Sequence, residues 1–171
     1  MVSCSGSSQI GIAKHAGEQA VLETDIIVRT GWIYGATGRN FLNTILERML
    51  RGEGLKVVAD QFGSPTWSQS IACALVELVE AGSSGIHHFT DQGRASWYDF
   101  AVEIGRFSEA MGLLPSAPEV IPIKSSEYEQ QAERPANSVL DCEKTYGELS
   151  QSPPFWQENL KRALAEFEVA N

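Results

Sequence analysis

The chain has 171 residues, 43% of them hydrophobic and 20% charged, and a formal net charge of −9. That length suits one domain with a single core, and the composition argues against disorder and fibrous repeats. The acidic excess repels polyanions at long range, which argues against nucleic acid or an anionic membrane surface as the main partner, while a few Lys and Arg can still converge on a small anion.

In chain order, Ala13, Ala16, Gly17, Ala20 and Val21 repeat with helical spacing and predict a helix over Ala13 to Leu22, its glycine suggesting close packing against another element. Asp25 to Thr30, with the continuous apolar run Ile26-Ile27-Val28, predicts a buried strand. After a glycine-punctuated loop from Gly31 to Asn40, Phe41, Leu42, Ile45, Leu46, Met49 and Leu50 define an amphipathic helix that Gly52 and Gly54 end. Lys56 to Ala59 is a short strand, followed by a polar loop from Asp60 to Thr66 and a helix through Ile71, Leu75, Leu78 and Val79, broken at Gly82 to Gly85.

Ile86 to Thr90 predicts another strand, and Ser96 with Asp99 reads as a capping box opening a helix through Trp97, Phe100, Ala101, Ile104 and Met111. Val120 to Ile123 is a further short strand. Ser152-Pro153-Pro154 starts a last helix with Trp156, Leu160, Ala163, Leu164 and Phe167 on one face. Alternating strands and helices indicate an α/β fold, with strands few and short for an independent doubly wound sheet.

Cys4, Cys73 and Cys142 are too few and too far apart for a disulfide framework or a paired metal-ligand spacing, and read as thiols in a reducing cytoplasm. Met1 to Gly11 is small and polar, unlike a signal peptide, and no apolar stretch approaches the roughly 20 residues of a transmembrane helix. A cytoplasmic location is expected. The adjacent His87 and His88 point to opposite faces of a strand and cannot easily share a metal ion, and the acidic residues show no metal-binding or paired-carboxylate spacing.

The run Gly31-Trp32-Ile33-Tyr34-Gly35, then Gly38, Asn40 and Phe41, then the loop from Asp60 to Thr66, resembles the extended short-chain dehydrogenase/reductases, and within them the dTDP-4-dehydrorhamnose reductases. The strings Trp97-Tyr98-Asp99-Phe100-Ala101 and Ala132 to Asp141, and Trp156 before the last helix, follow in the family's order. The string from Trp32 to Phe41 disfavours a sugar-nucleotide epimerase or dehydratase.

The resemblance implies NADPH- or NADH-dependent reduction of a 4-keto-6-deoxy nucleotide sugar to dTDP-L-rhamnose, with a dTDP-sugar as substrate. It implies the C-terminal portion of a Rossmann-type reductase with its small substrate-binding domain: residues 1–12 irregular, and 13–171 a Rossmann remnant interleaved with the substrate-binding part. In the family's Tyr-x-x-x-Lys motif, Tyr protonates the carbonyl oxygen and Lys lowers the tyrosine's pKa and holds the nicotinamide ribose. Here Lys14 keeps its place, with Gly17 and Glu18 in register, and Ile10 occupies the tyrosine position. An isoleucine can neither donate a proton nor hydrogen-bond a carbonyl.

The family's glycine-rich phosphate turn precedes that motif, and Gly6-Ser7-Ser8 cannot supply it. The chain is therefore expected to be a truncated, inactive reductase or, alternatively, a non-catalytic nucleotide-sugar-binding or regulatory module. Either a homodimer or association with a missing N-terminal half would follow.

By resemblance, the cofactor side falls to Lys14, Thr30 and Gly31. The substrate side falls to Trp32, Asn40, Gln61, Thr66 and Arg134. Each has a plainer account: Trp32 as core, Asn40, Gln61 and Thr66 as loop caps, and Arg134 in a surface salt bridge. Tyr34 is a poor substitute acid because it lies on a different element from Lys14.

Overall fold

The computed structural model describes residues 9–128 and 134–167. Cys4, Gly6-Ser7-Ser8, Ala132 and Glu133 lie outside the described residues, as does the side chain of Ile10. The chain begins with α1 (Gln9–Gln19) and β1 (Ile26–Arg29). Helix α1 starts four residues before the expected boundary, so residues 9–12 are helical where an irregular segment was expected; the helical spacing simply continues upstream through Gly11, a residue a helix tolerates at about 1 kcal/mol. Its small-residue face does not meet a neighbour among the described residues: Ala13, Ala16 and Ala20 are exposed, and a Cβ on Gly17 would touch nothing within 4 Å.

Strand β1 pairs in parallel with β6 (Gly85–His88), Ile27 opposite Ile86. Arg29 on β1 donates from Nε and Nη2 to the two carboxylate oxygens of Glu18, at 2.8 and 2.7 Å, fastening α1 to this pair. The side chains of β1 are all half-buried, whereas on β6 His87 is buried and Ile86 exposed, so this two-stranded parallel pair is covered less than parallel sheets usually are.

The remaining strands form three further two-stranded pairs. Strand β2 (Ile33–Tyr34) pairs in parallel with β5 (Thr66–Trp67), β3 (Leu55–Val58) in parallel with β8 (Val120–Ile123), and β4 (Phe62–Gly63) antiparallel with β7 (Ala95–Ser96). Helices α2 (Phe41–Leu50), α4 (Trp97–Ala110) and α6 (Trp156–Ala165) pack together, while α3 (Ser68–Glu80) follows β5 and α5 (Glu143–Glu148) lies against β6. The core is Leu42 and Leu46 of α2, Leu55 of β3, Phe100 and Ile104 of α4 and Leu160 and Leu164 of α6, each at most 1% exposed. The helical ones sit at the spacing that predicted their helices, so one apolar stripe per helix closes the core, while β3 begins one residue before the expected strand, at Leu55.

The cap of α4 is the expected box: Ser96 Oγ accepts from Asp99 N–H at 3.0 Å, and Asp99 Oδ2 accepts from Ser96 N–H at 2.8 Å. The polar loop from Asp60 to Thr66 contains β4 and enters β5, because its backbone finds partners on β7 and β2. The last helix starts at Trp156, not at the prolines: the prolines are extended, with Pro154 O accepting from Gln92 N–H and Gln92 O accepting from Trp156 N–H. Among the described residues no helix is long and apolar enough to cross a membrane.

Candidate functional site

Strand β1 delivers the chain to Trp32, which adopts φ 52°, in the left-handed region that a bulky residue enters only when its surroundings force it. Its carbonyl accepts from Thr66 N–H at 3.1 Å, and its indole Nε1 donates to Ser138 Oγ at 3.2 Å. The indole stacks on Trp97, ring centroids 3.5 Å apart and planes 4° from parallel. On Gly63, a Cβ would fall 2.3 Å from indole atoms of Trp32, so only glycine allows the β4 backbone this close.

Trp97 in turn lines a cleft of about 370 Å³ with Phe41, Arg48, Lys56, Gln61, Tyr128 and Arg134 among its other walls. The size is that of a small-molecule site. Three cations from a chain of net charge −9 converge here: Arg48 from α2, Lys56 from β3 and Arg134 from the segment after the undescribed stretch. Arg48 already pairs with Glu53 at 2.8 Å. Chemically, aromatic rings offer flat faces for stacking, Arg and Lys side chains offer donors to an anion, and the Gln61 amide offers both donor and acceptor. A larger groove of about 540 Å³ lies between α3, α6 and residues 149–154, but its polar groups are Gln, Ser, Glu77 and one Arg, without convergent cations.

The structure brings together Gln61 and Arg134 of the expected substrate residues. Trp32 reaches the cleft through Trp97 and does not itself line it. Asn40 instead caps α2, its Oδ1 accepting from Asn43 N–H at 3.1 Å and its Nδ2 donating to the carbonyls of Gly35 and Thr37 at 2.9 and 3.2 Å. Thr66 is fully buried in β5, donating from Oγ1 to Ser64 O at 2.9 Å. Arg48, Lys56 and Tyr128 were not singled out in the sequence; the available signal was only that basic residues are scarce.

On the cofactor side, Lys14 is exposed on α1, and Thr30 and Gly31 lie at the C-terminal end of β1, where open α/β sheets take ligands. Thr30 Oγ1 is buried with no hydrogen-bond partner among the described residues, and a Cβ on Gly31 would meet open space. Tyr34 is 1% exposed and donates from its hydroxyl to Trp156 O at 3.4 Å, and burial, then the Asp91 carboxylate, push its phenol far above its ordinary pKa. It is no proton donor for a substrate.

His87 is buried, with Nε2 3.1 Å from Ser84 O, whereas His88 Nδ1 lies 3.1 Å from Asp141 O, so the two rings diverge. Among the described residues no three His, Cys, Asp or Glu side chains gather as a metal site would require.

The RmlD substrate binding domain model matches residues 5–169. The chain belongs to that family. A dTDP-4-dehydrorhamnose reductase of Aggregatibacter actinomycetemcomitans is 40% identical over 91% of this chain and 57% of its own length. A probable dTDP-4,6-dihydroxy-2-methyloxan-3-one 4-ketoreductase of Streptomyces antibioticus is 37% identical over 95% of this chain and 55% of its own. The crystal structure of a Bacillus anthracis dTDP-4-dehydrorhamnose reductase in complex with NADP superposes with a TM-score of 0.82 at 30% identity, covering 92% of this chain and 55% of that one. The chain thus spans about half the length of these family members, and its α/β fold is that of the corresponding part of the reductases.

A dinucleotide needs a strand running through closely spaced glycines into a helix N-terminus. Among the described residues β2 runs through Gly35 and Gly38 into α2, but there the Asn40 and Asn43 side chains donate to the carbonyls of Gly35, Ala36 and Gly38, and Asn40 Oδ1 accepts from the Asn43 amide; β1 runs into Trp32 and β2, β3 into Ala59 and Asp60, and β5 directly into α3 without a glycine.

Proposed function

We propose that this chain is the substrate-holding part of an NADPH- or NADH-dependent reductase that converts a dTDP-4-keto-6-deoxy sugar to dTDP-L-rhamnose, and that by itself it binds the nucleotide sugar without reducing it. The observation that carries the reading is the convergence of Arg48, Lys56 and Arg134 with Trp97, Phe41 and Tyr128 around one cleft in an acidic protein.

In this reading the nucleobase lies against the aromatic walls and the diphosphate between the cations, Arg134 presenting its planar fork to two phosphate oxygens. The sugar then extends toward the end of β1. Trp32 fixes the plane of Trp97, and Gln61 orients the ligand by hydrogen bonds. Catalysis is not assigned to these residues: Ile10 holds the proton donor's position, and Lys14 has no acid to tune.

Titrating the purified chain with dTDP and following tryptophan fluorescence tests the binding. Saturable quenching, weakened by Arg134→Ala, is expected; no saturable change overturns the reading. Consumption of NADPH with the 4-keto sugar nucleotide should not exceed a control without protein, and turnover abolished by Lys14→Ala would refute the inactive assignment.

Ile10 favours a second reading, a nucleotide-sugar-binding or regulatory module of the same fold that works without chemistry. The gene neighbourhood separates the two: an upstream glycine-rich turn and Tyr-containing motif favour the reductase, and an unrelated upstream gene the module.

A further inference from the structure

The ring of His87, on β6, lies beside Glu148 of α5, and its two nitrogens meet different surroundings. The side chain is fully buried, with Nε2 3.1 Å from the carbonyl oxygen of Ser84. A carbonyl only accepts, so Nε2 carries a proton whatever the charge of the ring, and in the neutral ring Nδ1 keeps the lone pair. Nδ1 has no hydrogen-bond partner among the described residues, and Glu148 Oε2 stands 3.9 Å from it. Two acceptors face each other there. A second proton on the ring makes Nδ1 a donor, and a closure of about 1 Å turns the contact into a charge-assisted hydrogen bond.

The neighbouring groups leave this contact to His87. Ser83 Oγ donates to the same Glu148 oxygen at 2.7 Å and fixes where it points. Lys144 Nζ is 4.0 Å from Glu148 Oε1 and donates to Ile86 O at 3.2 Å. Also on α5, Tyr146 donates from its hydroxyl to Thr90 O at 2.8 Å, and Glu143 is exposed. On α3, Glu77 accepts from Ser150 N–H at 2.7 Å. On β1 the residue opposite His87 is Val28, while Arg29 is paired with Glu18 and approaches His88. Helix α5 has six residues and buries only Thr145, whose Oγ1 also has no partner among the described residues, so one strong contact weighs heavily in its attachment.

We propose that His87 and Glu148 form a pH-sensitive latch, in which protonation of the buried ring closes an ion pair that fastens α5 to β6. Histidine changes charge between about pH 5 and 8, so the latch works in the mildly acidic range. Only the protonated ring donates from Nδ1, and the hold on α5 therefore tightens as pH falls and loosens as it rises. Helix α5 follows the segment that bears Arg134 and Ser138, so the latch sets how firmly the far end of that segment is held. It does not depend on what occupies the cleft.

Two-bond proton–nitrogen spectra of the isotope-labelled chain between about pH 8 and 5 read the proton on each ring nitrogen. The His87 signals are assigned by their loss in His87→Gln and by their displacement in Glu148→Gln, so the assignment stands even where the first variant does not fold. Expected is a proton gained at His87 Nδ1 on acidification. The Tyr146 amide, which donates to Cys142 O at 2.9 Å at the start of α5, should become about threefold or more better protected from hydrogen exchange, after correction for the intrinsic rate. Glu148→Gln, which keeps an acceptor for Ser83, should show no such rise. An Nδ1 that stays unprotonated down to about pH 5, as a water bridge to Glu148 would leave it, overturns the proposal, and so does a gain in protection that Glu148→Gln shares.

Discussion

Trp32 and Trp97, 65 positions apart in sequence, lie face to face with centroids 3.5 Å apart. The contact joins the end of β1 to the first turn of α4, and the hydrogen bond from Trp32 to Ser138 adds a third segment. It ties three of the sequence strings that carry the family resemblance into one wall.

Gly63→Ala should disturb that wall without touching the cleft directly. The new methyl would stand 2.3 Å from the Trp32 indole and against a ring already held by Trp97, so strain of about 1–3 kcal/mol is expected. Urea unfolding measures the loss. Tryptophan fluorescence with dTDP should show weaker binding, since Trp97 loses its support.

Arg134→Ala should leave folding unchanged, because Arg134 is exposed, but reduce dTDP affinity by about tenfold or more, the scale of hydrogen bonds to a charged group. Arg134→Lys should recover only part, since an ammonium cannot bridge two phosphate oxygens as the guanidinium fork does. Calorimetric titration with dTDP at two salt concentrations checks both.

The pair formed by Glu18 and Arg29 predicts an acid-sensitive attachment of α1. Hydrogen bonding from Arg29 holds the Glu18 carboxyl below the usual carboxylate range. A depressed folded-state pKa contributes stability that is present above the unfolded value, about 4.3, and is lost as pH falls through the folded one. The melting temperature of the parent should exceed that of Glu18→Gln at pH 7, and the gap should close on acidification below pH ~4. With side chains 28% and 20% exposed the gap is small, as for other partly solvated ion pairs.

Asp91 carries the opposite sign. It is 1% exposed, and burial raises its carboxyl above the ordinary range despite Oδ2 accepting from Trp67 N–H at 3.0 Å and the opposing influence of Asn159, Ser70 and Arg162 nearby. A raised folded pKa means that the folded state binds the proton more tightly, so this residue's contribution weakens as pH rises from about 3.9 through the folded value. Asp91→Asn should flatten that slope while keeping an acceptor for Trp67. Asp91→Ala, which leaves the buried amide without one, should cost about 1–3 kcal/mol in chemical denaturation at every pH.

Much of the local structure is legible in the sequence because it depends on neighbours three or four positions away. Helix α2 occupies Phe41–Leu50, where its apolar spacing put it, and α4 opens at Ser96 and Asp99 because the cap is a contact between residues three apart. Helix α5 escaped notice: six residues with only Thr145 buried are too few to show a period. The prolines before Trp156 read as a helix start, yet pairing with Gln92, far away in sequence, holds them extended. Asn40 and Thr66 were legible as polar loop residues, but whether a loop polar group faces a ligand or its own backbone depends on φ, ψ and the neighbouring strand.

The sequence by itself determined the family, through ordered strings from Gly31 to Trp156, and the absence of a tyrosine four residues before Lys14. Only the tertiary structure decided that Arg48, Lys56 and Arg134 share a cleft, that Trp32 acts through Trp97, and that His87 lies beside Glu148. The division has one physical cause: periodicity and capping are short-range and written in adjacent residues, whereas convergence of charges and pairing of strands are set by chain closure over tens of residues, which no local pattern encodes.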